Sequence, residues 1–446
     1  MGFKKDFVWG AASASYQVEG AAYDDGKGLS IWDEFCKQPD KIKDGCSGDI
    51  ACDHYRRYKE DVKLMKQLGI KAYRFSTSWP RIIPEGCGKI NEAGLDFYDR
   101  LVNELLENDI EPYVTLYHWD LPINLHYKGG WLNRDIADWF ARYAAVVTER
   151  LSDRVKSFIT FNEPQCFIGL GYCEGRHAPG LRCSGRDTFA MAHNAMLAHG
   201  KAVIAMRAVA KRNISIGYVS TGSMNYPLTN SAADIEAARK ATFRLENSET
   251  RWTWNLPWFN DPVYLGEYPA DGLKMYERFL PQIAQDDMKI ISQPLEYIGL
   301  NIYNGKQVKA DANGGWELVE RYDGFPKTAL GWPVTPQSLY WGPKFIYERY
   351  SKPIFITENG LSCHDVISID GKVHDPNRID FLNRYLLELR NAADDGIDIA
   401  GYFQWSFTDN FEWHSGYGDR FGLVFIDYNT QKRIPKDSAY WYADVI

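Results

Sequence analysis

Eight short apolar runs, each followed by an amphipathic stretch or a long polar loop, constrain this chain more than any other feature. They cover residues 7–15, 70–76, 111–117, 155–161, 214–219, 297–302, 353–357 and 399–405. Runs of that length, rich in β-branched and aromatic residues and alternating with helical periodicity, read as stacked βα units around a parallel sheet. Eight such strands are the number that closes into a barrel. Between them, residues 53–68 put Tyr55, Tyr58, Val62, Met65 and Leu68 on one helical stripe, and Gly69 directly after it suits a helix stop. Residues 95–107, 135–151, 188–209, 230–246, 338–350 and 378–393 read similarly. The longest connections follow strands 1, 4, 5, 6 and 8, and they are rich in Trp, Tyr, His, Asn and Gly. On a barrel such loops sit above the mouth.

A prior of one domain per ~150 residues would divide 446 residues into three. Barrels with elaborated loops run past ~400 residues as one domain, and no linker, low-complexity tract or internal repeat marks a seam. The expected fold is therefore α/β, a single-domain (β/α)8 TIM barrel over residues 1–446 with elaborated loops at its C-terminal face.

Two strings place a glutamate immediately after a buried strand: Thr160-Phe161-Asn162-Glu163-Pro164 and Ile356-Thr357-Glu358-Asn359-Gly360. A carboxylate there is costly to desolvate and adds nothing to a core, so two of them point to a site at the barrel mouth. Paired carboxyls are what glycosidic hydrolysis needs, one to protonate the leaving oxygen and one to attack or to activate water. Other strand ends agree. Strand 1 runs on to Gln17 and Glu19, and strand 2 contains Arg74. Strand 3 leads to His118-Trp119-Asp120, strand 6 to Asn301 and Tyr303, and strand 8 to Trp405, with Glu412-Trp413 following. Hydrogen-bonding groups on one rim with aromatics beside them suit a polyhydroxylated ring, whose hydroxyls need partners and whose CH face needs an aromatic floor.

At these residues the chain resembles glycoside hydrolase family 1, the retaining β-glucosidase family, along essentially its whole length. The resemblance rests on Phe7-Val8-Trp9-Gly10 through Gln17-Val18-Glu19-Gly20, then Tyr73-Arg74-Phe75-Ser76 and His118-Trp119-Asp120-Leu121-Pro122. It continues through the Glu163 string, Gly299-Leu300-Asn301-Ile302-Tyr303, the Glu358 string and the segment 405–413, all in order. It implies that Glu163 is the general acid/base and Glu358 the nucleophile, with carboxyls roughly 5–5.5 Å apart. Arg74 and Tyr303 would lower the pKa of Glu358, while burial and the charge of Glu358 would raise that of Glu163. Gln17, His118, Asn162 and Glu412 would bind sugar hydroxyls. Trp405 would be the stacking floor, Trp413 a further sugar contact, and Asn301 an organiser of the two carboxylates. The resemblance implies no metal and no cofactor.

Four positions map to the leaving-group side: Gln165, Cys166, His177 and Trp332. Many relatives carry an aromatic where Gln165 stands, which puts aglycone preference in doubt. Each supporting residue also has a blander reading: Arg74 as a structural ion pair, Tyr303 and Trp332 as core aromatics, His177 as a loop cap.

A net charge of −8 with both signs interspersed argues against nucleic acid and anionic membranes as partners, and no apolar stretch approaches the ~18 residues of a membrane span. The partners implied are β-glucosides and short cello-oligosaccharides, and a homo-oligomer is left open. Lys4-Lys5, Phe7-Val8-Trp9 and Ala12-Ser13-Ala14 imitate a signal peptide, but the run is short and Asp6 interrupts it. Met1-Gly2 lacks the Ser or Thr at position six of a myristoylation signal. A cytoplasmic location is expected, with the eight cysteines as reduced thiols, although Cys46 and Cys52 could meet in a loop. His193 and His199, six apart on a helix, do not share a face and make poor metal ligands.

Two alternatives carry the same fold. A 6-phospho-β-glycosidase would need Ser in place of Glu412 together with a Lys and a Tyr, and here only Tyr417 and Arg420 lie near that position. A non-catalytic sugar-binding relative would usually lose one catalytic glutamate, and both are present.

Overall fold

Strands form at all eight expected positions: β1 (Val8–Ala12), β2 (Ala72–Ser76), β3 (Glu111–Tyr117), β4 (Ser157–Asn162), β5 (Ser215–Thr221), β6 (Tyr297–Asn301), β7 (Ile354–Asn359) and β8 (Ile399–Trp405). Each lies parallel to its sequence neighbours, and β1 pairs with β8 to close the barrel. The structure is a computed structural model that describes residues 2–446. Met1, which opens the expected domain span and the Met1-Gly2 reading, lies outside the described residues.

Packing explains why these segments form strands. Tyr113, Tyr297, Phe355 and Phe403 fill the lower barrel, with ring centroids 4.9 Å apart for both Tyr113–Phe403 and Tyr297–Phe355. Rings that large need small neighbours. A Cβ on Gly10 would meet the Phe403 ring at 2.6 Å, and one on Gly217 would meet the Tyr297 ring at 2.1 Å. Outside the barrel, helix His54–Gln67 buries Tyr55, Tyr58, Val62 and Met65, with Leu68 just past its end, as the stripe predicts. Helix Gly185–Val209 backs β4, where Thr160 Oγ1 and His199 Nδ1 lie 2.7 Å apart. His193 is engaged separately, between Tyr268 and Asp287.

Most boundaries shift by a few residues from expectation, and three of the shifts have consequences for the mouth. Strand 1 was expected to run to Ser15, but β1 stops at Ala12. Ser13 N–H then donates to the Arg74 carbonyl and Ser15 N–H to Ser76 Oγ, turning the chain into the one-turn helix Ser15–Val18 that carries Gln17. Strand β7 runs two residues further than expected and takes Glu358 inside the sheet. The helix expected over 230–246 is only Ala232–Thr242, because Ser231 caps it by accepting from Asp234 N–H at 3.1 Å. Beyond it the chain leaves the helix and enters the rim of the mouth.

Two small sheets carry too few residues for a readable period: a three-stranded one (Tyr226–Pro227, Gln307–Ala310, Trp316–Leu318) and the hairpin Val424–Asp427/Lys432–Pro435. All eight cysteines are unpaired, and Cys52 donates instead to the Asp409 carbonyl at 2.9 Å. The stretch that imitates a signal peptide is built into β1. No helix among the described residues is long and apolar enough to cross a membrane.

Candidate active site

The two glutamates leave the sheet where its register breaks. Pairing of β4 with β5 shifts between Ile159 and Asn162, and pairing of β7 with β6 shifts between Ile356 and Glu358. Such irregularities re-aim a side chain at a barrel rim. Glu163 follows β4 directly in a left-handed conformation, φ 50° and ψ 70°, with its N–H held by the Val219 carbonyl at 3.0 Å. Trp119 (φ 78°) and Trp413 (φ 52°), both on the same cleft, share that region. Non-glycine residues held there cost ~1–3 kcal/mol each and persist where the surroundings over-determine them.

A continuous hydrogen-bonded arc joins the two carboxyls. Arg74 Nη1 donates to Glu358 Oε1 at 2.7 Å and Tyr303 OH donates to Glu358 Oε2 at 2.8 Å. Arg74 Nη2 reaches Asn162 Oδ1 at 2.6 Å, and Asn301 Nδ2 reaches the same oxygen at 3.0 Å. Asn301 Nδ2 also donates to Glu163 Oε1 at 2.7 Å, while Thr357 Oγ1 donates to Asn301 Oδ1 at 2.7 Å and fixes that amide. Arg74, wholly buried inside β2, is further held by Thr115 Oγ1 and the Thr357 carbonyl. A buried guanidinium this fully engaged is stable only with its carboxylate in place.

The arc treats the two carboxyls unequally. Glu358 receives a cation and a hydroxyl donor, whereas Glu163 receives an amide. Burial, and after it the charge of Glu358, pushes Glu163 up to about 8. For Glu358 the expectation of a lowered pKa needs correcting. Burial raises it above the usual carboxylate value, and Arg74, Tyr303 and Asn301 pull it part of the way back. Between the two, the charge belongs on Glu358, because only it pairs with the guanidinium.

Both glutamates line a cleft of about 500 Å³ at the barrel mouth, together with His118, Asn301, Tyr303, Trp405, Glu412 and Trp413. Burial and the nearby Arg74 hold the His118 pKa far below its ordinary value, so its imidazole is neutral; its Nε2 lies 3.1 Å from Asn162 Nδ2. Gln17 and Asn162 are completely buried beneath the lining. Gln17 Nε2 donates to the Phe411 carbonyl at 2.9 Å and reaches Glu412 Oε2 at 3.4 Å, while its Oε1 has no partner among the described residues. Burial, Asp419 and Glu358 raise the Glu412 carboxyl well above its ordinary value. Trp405 lies 5.8 Å from the His118 ring, and Trp413 packs 4.6 Å from both Trp32 and Trp119. Cys166, His177 and Trp332 also face the cleft, with His177 Nε2 3.3 Å from His414 Nδ1.

Two expected rim residues stand elsewhere. Gln165 is fully buried behind the cleft, with neither amide atom partnered among the described residues, and Cys166 takes the cleft-facing position. The cause is the short helix Pro164–Ile168, on which consecutive side chains point in different directions. Glu19 accepts from Arg81 Nε at 2.9 Å and Tyr98 OH at 2.6 Å, which makes it a brace beneath β1. Sequence reasoning missed the role of Trp119, whose Nε1 donates to the Asn162 carbonyl at 2.9 Å, and the lining residues Arg244, Glu246, Arg251, Trp254, Lys306 and Phe421. Only the aromatic density of segment 252–259 signalled the region of Trp254.

Known proteins resemble this chain over its full length. Residues 1–446 match the model of Glycosyl hydrolase family 1. The chain is 48% identical over 447 residues to a 1,4-beta-D-glucan glucohydrolase of Thermotoga neapolitana, covering 100% of this chain and 98% of that one. It is 47% identical to Beta-glucosidase A of Thermotoga maritima, over 100% of this chain and 97% of the other. A solved structure described as a family 1 b-glucosidase from Thermotoga maritima superposes with a TM-score of 0.90 at 46% identity, covering 100% of this chain and 98% of that one.

Proposed function

Because the chain belongs to glycosyl hydrolase family 1, we propose that Glu358 is the nucleophile and Glu163 the acid/base of a retaining β-glucosidase. The observation that carries the assignment is the asymmetry of the arc. Of the two glutamates, Arg74 and Tyr303 bond only Glu358, which favours its charge, while Glu163 is held protonated up to about 8. Residues 1–446 act as one catalytic unit in this reading, since β1 and β8 from opposite ends of the chain complete one barrel.

The chemistry follows. Glu358 attacks the anomeric carbon as Glu163 gives its proton to the glycosidic oxygen, the C–O bond breaks, and a glycosyl ester forms on Glu358. Esterification removes the Glu358 charge, the cause that stands after burial in raising the Glu163 pKa, so Glu163 gives up its proton more readily and can accept one from the incoming water. Two displacements at one carbon give net retention. Asn162, between Arg74 and His118, is positioned for the 2-hydroxyl, where hydrogen bonding strengthens in the oxocarbenium-like transition state. Gln17 and Glu412 take hydroxyls at the far end of the ring, with Trp405 beneath it and Trp413 beside it.

Short cello-oligosaccharides fit as substrates, supported by the glucan glucohydrolase name of the Thermotoga neapolitana relative. A cytosolic compartment is supported by eight unpaired thiols. The 6-phospho alternative is not favoured. A phosphate would meet Glu412 and Asp419, while Arg420 is tied to Asp409 at 2.6 Å and Tyr417 OH to the Ser47 carbonyl at 2.7 Å. With Arg420 and Tyr417 both engaged, a buried phosphate would lack a free partner, so nitrophenyl β-glucoside should be favoured over its 6-phosphate by ~10²-fold or more in kcat/KM. Glu412→Ala should cost at least ~10-fold on the glucoside and less on a 6-deoxy sugar. Faster turnover of the phosphorylated substrate would overturn the reading.

The pH profile of kcat/KM should be bell-shaped. Activity is lost as pH rises through about 8, where Glu163 gives up its proton, and again as pH falls and Glu358 gains one. Arg74→Met removes the cation that favours ionised Glu358, so the acidic limb should move upward. An acidic limb that stays in place while activity survives would make Arg74 purely structural.

A further inference from the structure

The outer cleft carries a cluster of positive charge. Arg244 and Arg251 from the β5–β6 connection, Lys306 just past β6, and Arg176 from the β4 connection all line it. In the closed barrel β5 stands across the mouth from β1, and β4 across from β8, and the loops of β1 and β8 bring Gln17 and Glu412. Those sugar-side groups lie at the closed end, Gln17 being wholly buried, whereas Arg176 and Arg251 are exposed at the rim. A glucosyl ring seated at the closed end therefore sends its leaving group past these cations.

The cluster is under-neutralised. Among the described residues neither Lys306 nor Arg251 makes a side-chain hydrogen bond or ion pair. Arg244 has Glu246 at 2.9 Å, and Arg176 has Glu174 only at 3.9 Å. Arg321, anchored to the Gly305 carbonyl at 3.0 Å, adds a further charge beside Lys306. Partial burial first, then Arg244 and Arg251, lowers the Lys306 pKa, the mark of cations held together with too little counter-charge. This stands out in a chain of net charge −8. A cleft lined by one sign of charge focuses the potential and concentrates ligands of the opposite sign. Trp254 and Trp332 line the same cleft, Trp332 with its ring centroid 5.2 Å from that of Tyr303.

We propose that this half of the cleft selects β-glucosides whose aglycone is an aromatic ring bearing a carboxylate, with the ring against the tryptophans and the carboxylate met by Lys306 and Arg251. A single negative charge suits the site better than two, because Glu246 and Glu174 also stand at the rim. The proposal rests on the β-glucosidase reading and extends it to the leaving group.

The test uses a matched pair, 4-(2-carboxyethyl)phenyl β-D-glucoside and its primary amide. The two-methylene spacer insulates the phenolic oxygen, so both substrates have the same leaving-group chemistry. At low salt the acid should be preferred in kcat/KM by about two- to fivefold, the range open to a solvent-facing ion pair. The preference should fall toward one in ~0.5 M NaCl, where the screening length is only a few ångströms. In the Lys306→Met/Arg251→Met double variant the acid-to-amide ratio should approach one, and the ratio cancels any general loss of activity. A wild-type ratio at or below one, or a preference unmoved by salt or by the double substitution, overturns the proposal. Cleavage of neither glucoside would instead overturn the β-glucosidase reading on which it rests.

Discussion

Glu358→Gly should lower kcat/KM for aryl β-glucosides by about 10⁵-fold, the scale on which loss of a covalent nucleophile acts. Added azide should restore turnover and release the α-glucosyl azide. The geometry explains both halves. Removing the carboxylate leaves space beside the anomeric carbon on the face Glu358 attacked, while Glu163, still held by Asn301 at 2.7 Å, stays on the leaving-group side, and a nitrophenolate departs without needing its proton. Azide entering from that face inverts the configuration once, and no second displacement follows. Because the variant leaves the Arg74 guanidinium buried without its partner at 2.7 Å, it should also be destabilised by ~3–5 kcal/mol. Thermal unfolding of the variant separates that effect from the chemistry. A folded variant giving the β-azide would reverse the proposed roles.

The barrel is legible in the sequence because each βα unit carries its signal locally: an apolar run, a helical stripe, a loop. The two glutamates are legible because a carboxyl at the end of a buried strand has no structural purpose. Direction is harder to read. Gln165 and Cys166 are adjacent, and only the path of the helix Pro164–Ile168 decides that the thiol, not the amide, faces the cleft. Glu19 reads as a rim residue by position, yet the turn after Ala12 aims it at Arg81 and Tyr98. The net shift on Glu358 was beyond reach too, since it balances burial against three hydrogen-bond donors placed by β2 and β6. The cationic rim is least legible of all. Arg251 and Lys306 come from segments without periodicity, Arg244 lies past the end of helix Ala232–Thr242 in a stretch whose pattern reads as helix, and in sequence all three are ordinary surface charges.

Glu163→Ala should separate the two steps of the reaction. With a poor leaving group such as an alkyl or glucosyl aglycone, loss of the general acid should slow turnover by ~10²–10⁴-fold. With dinitrophenol, whose anion leaves without a proton, formation of the glycosyl ester should proceed nearly unimpaired. The ester should then accumulate, because no base remains to activate water, and a burst of phenol should precede slow turnover. Azide needs no base, so it should relieve the second step and give the β-azide, the product of two inversions. The pH dependence should change in the same variant. The limb near 8 belongs to Glu163, whose pKa is raised by burial and by Glu358, so in Glu163→Ala that limb should vanish while the acidic limb remains. An unaltered basic limb would mean that another group supplies the proton. The cleft offers few substitutes: burial and then the neighbouring charges of Glu163 and Glu358 push the Cys166 thiol well above its usual range, and His118 is held neutral beside Arg74. The loss of that limb, read together with the β-azide, is therefore specific to Glu163.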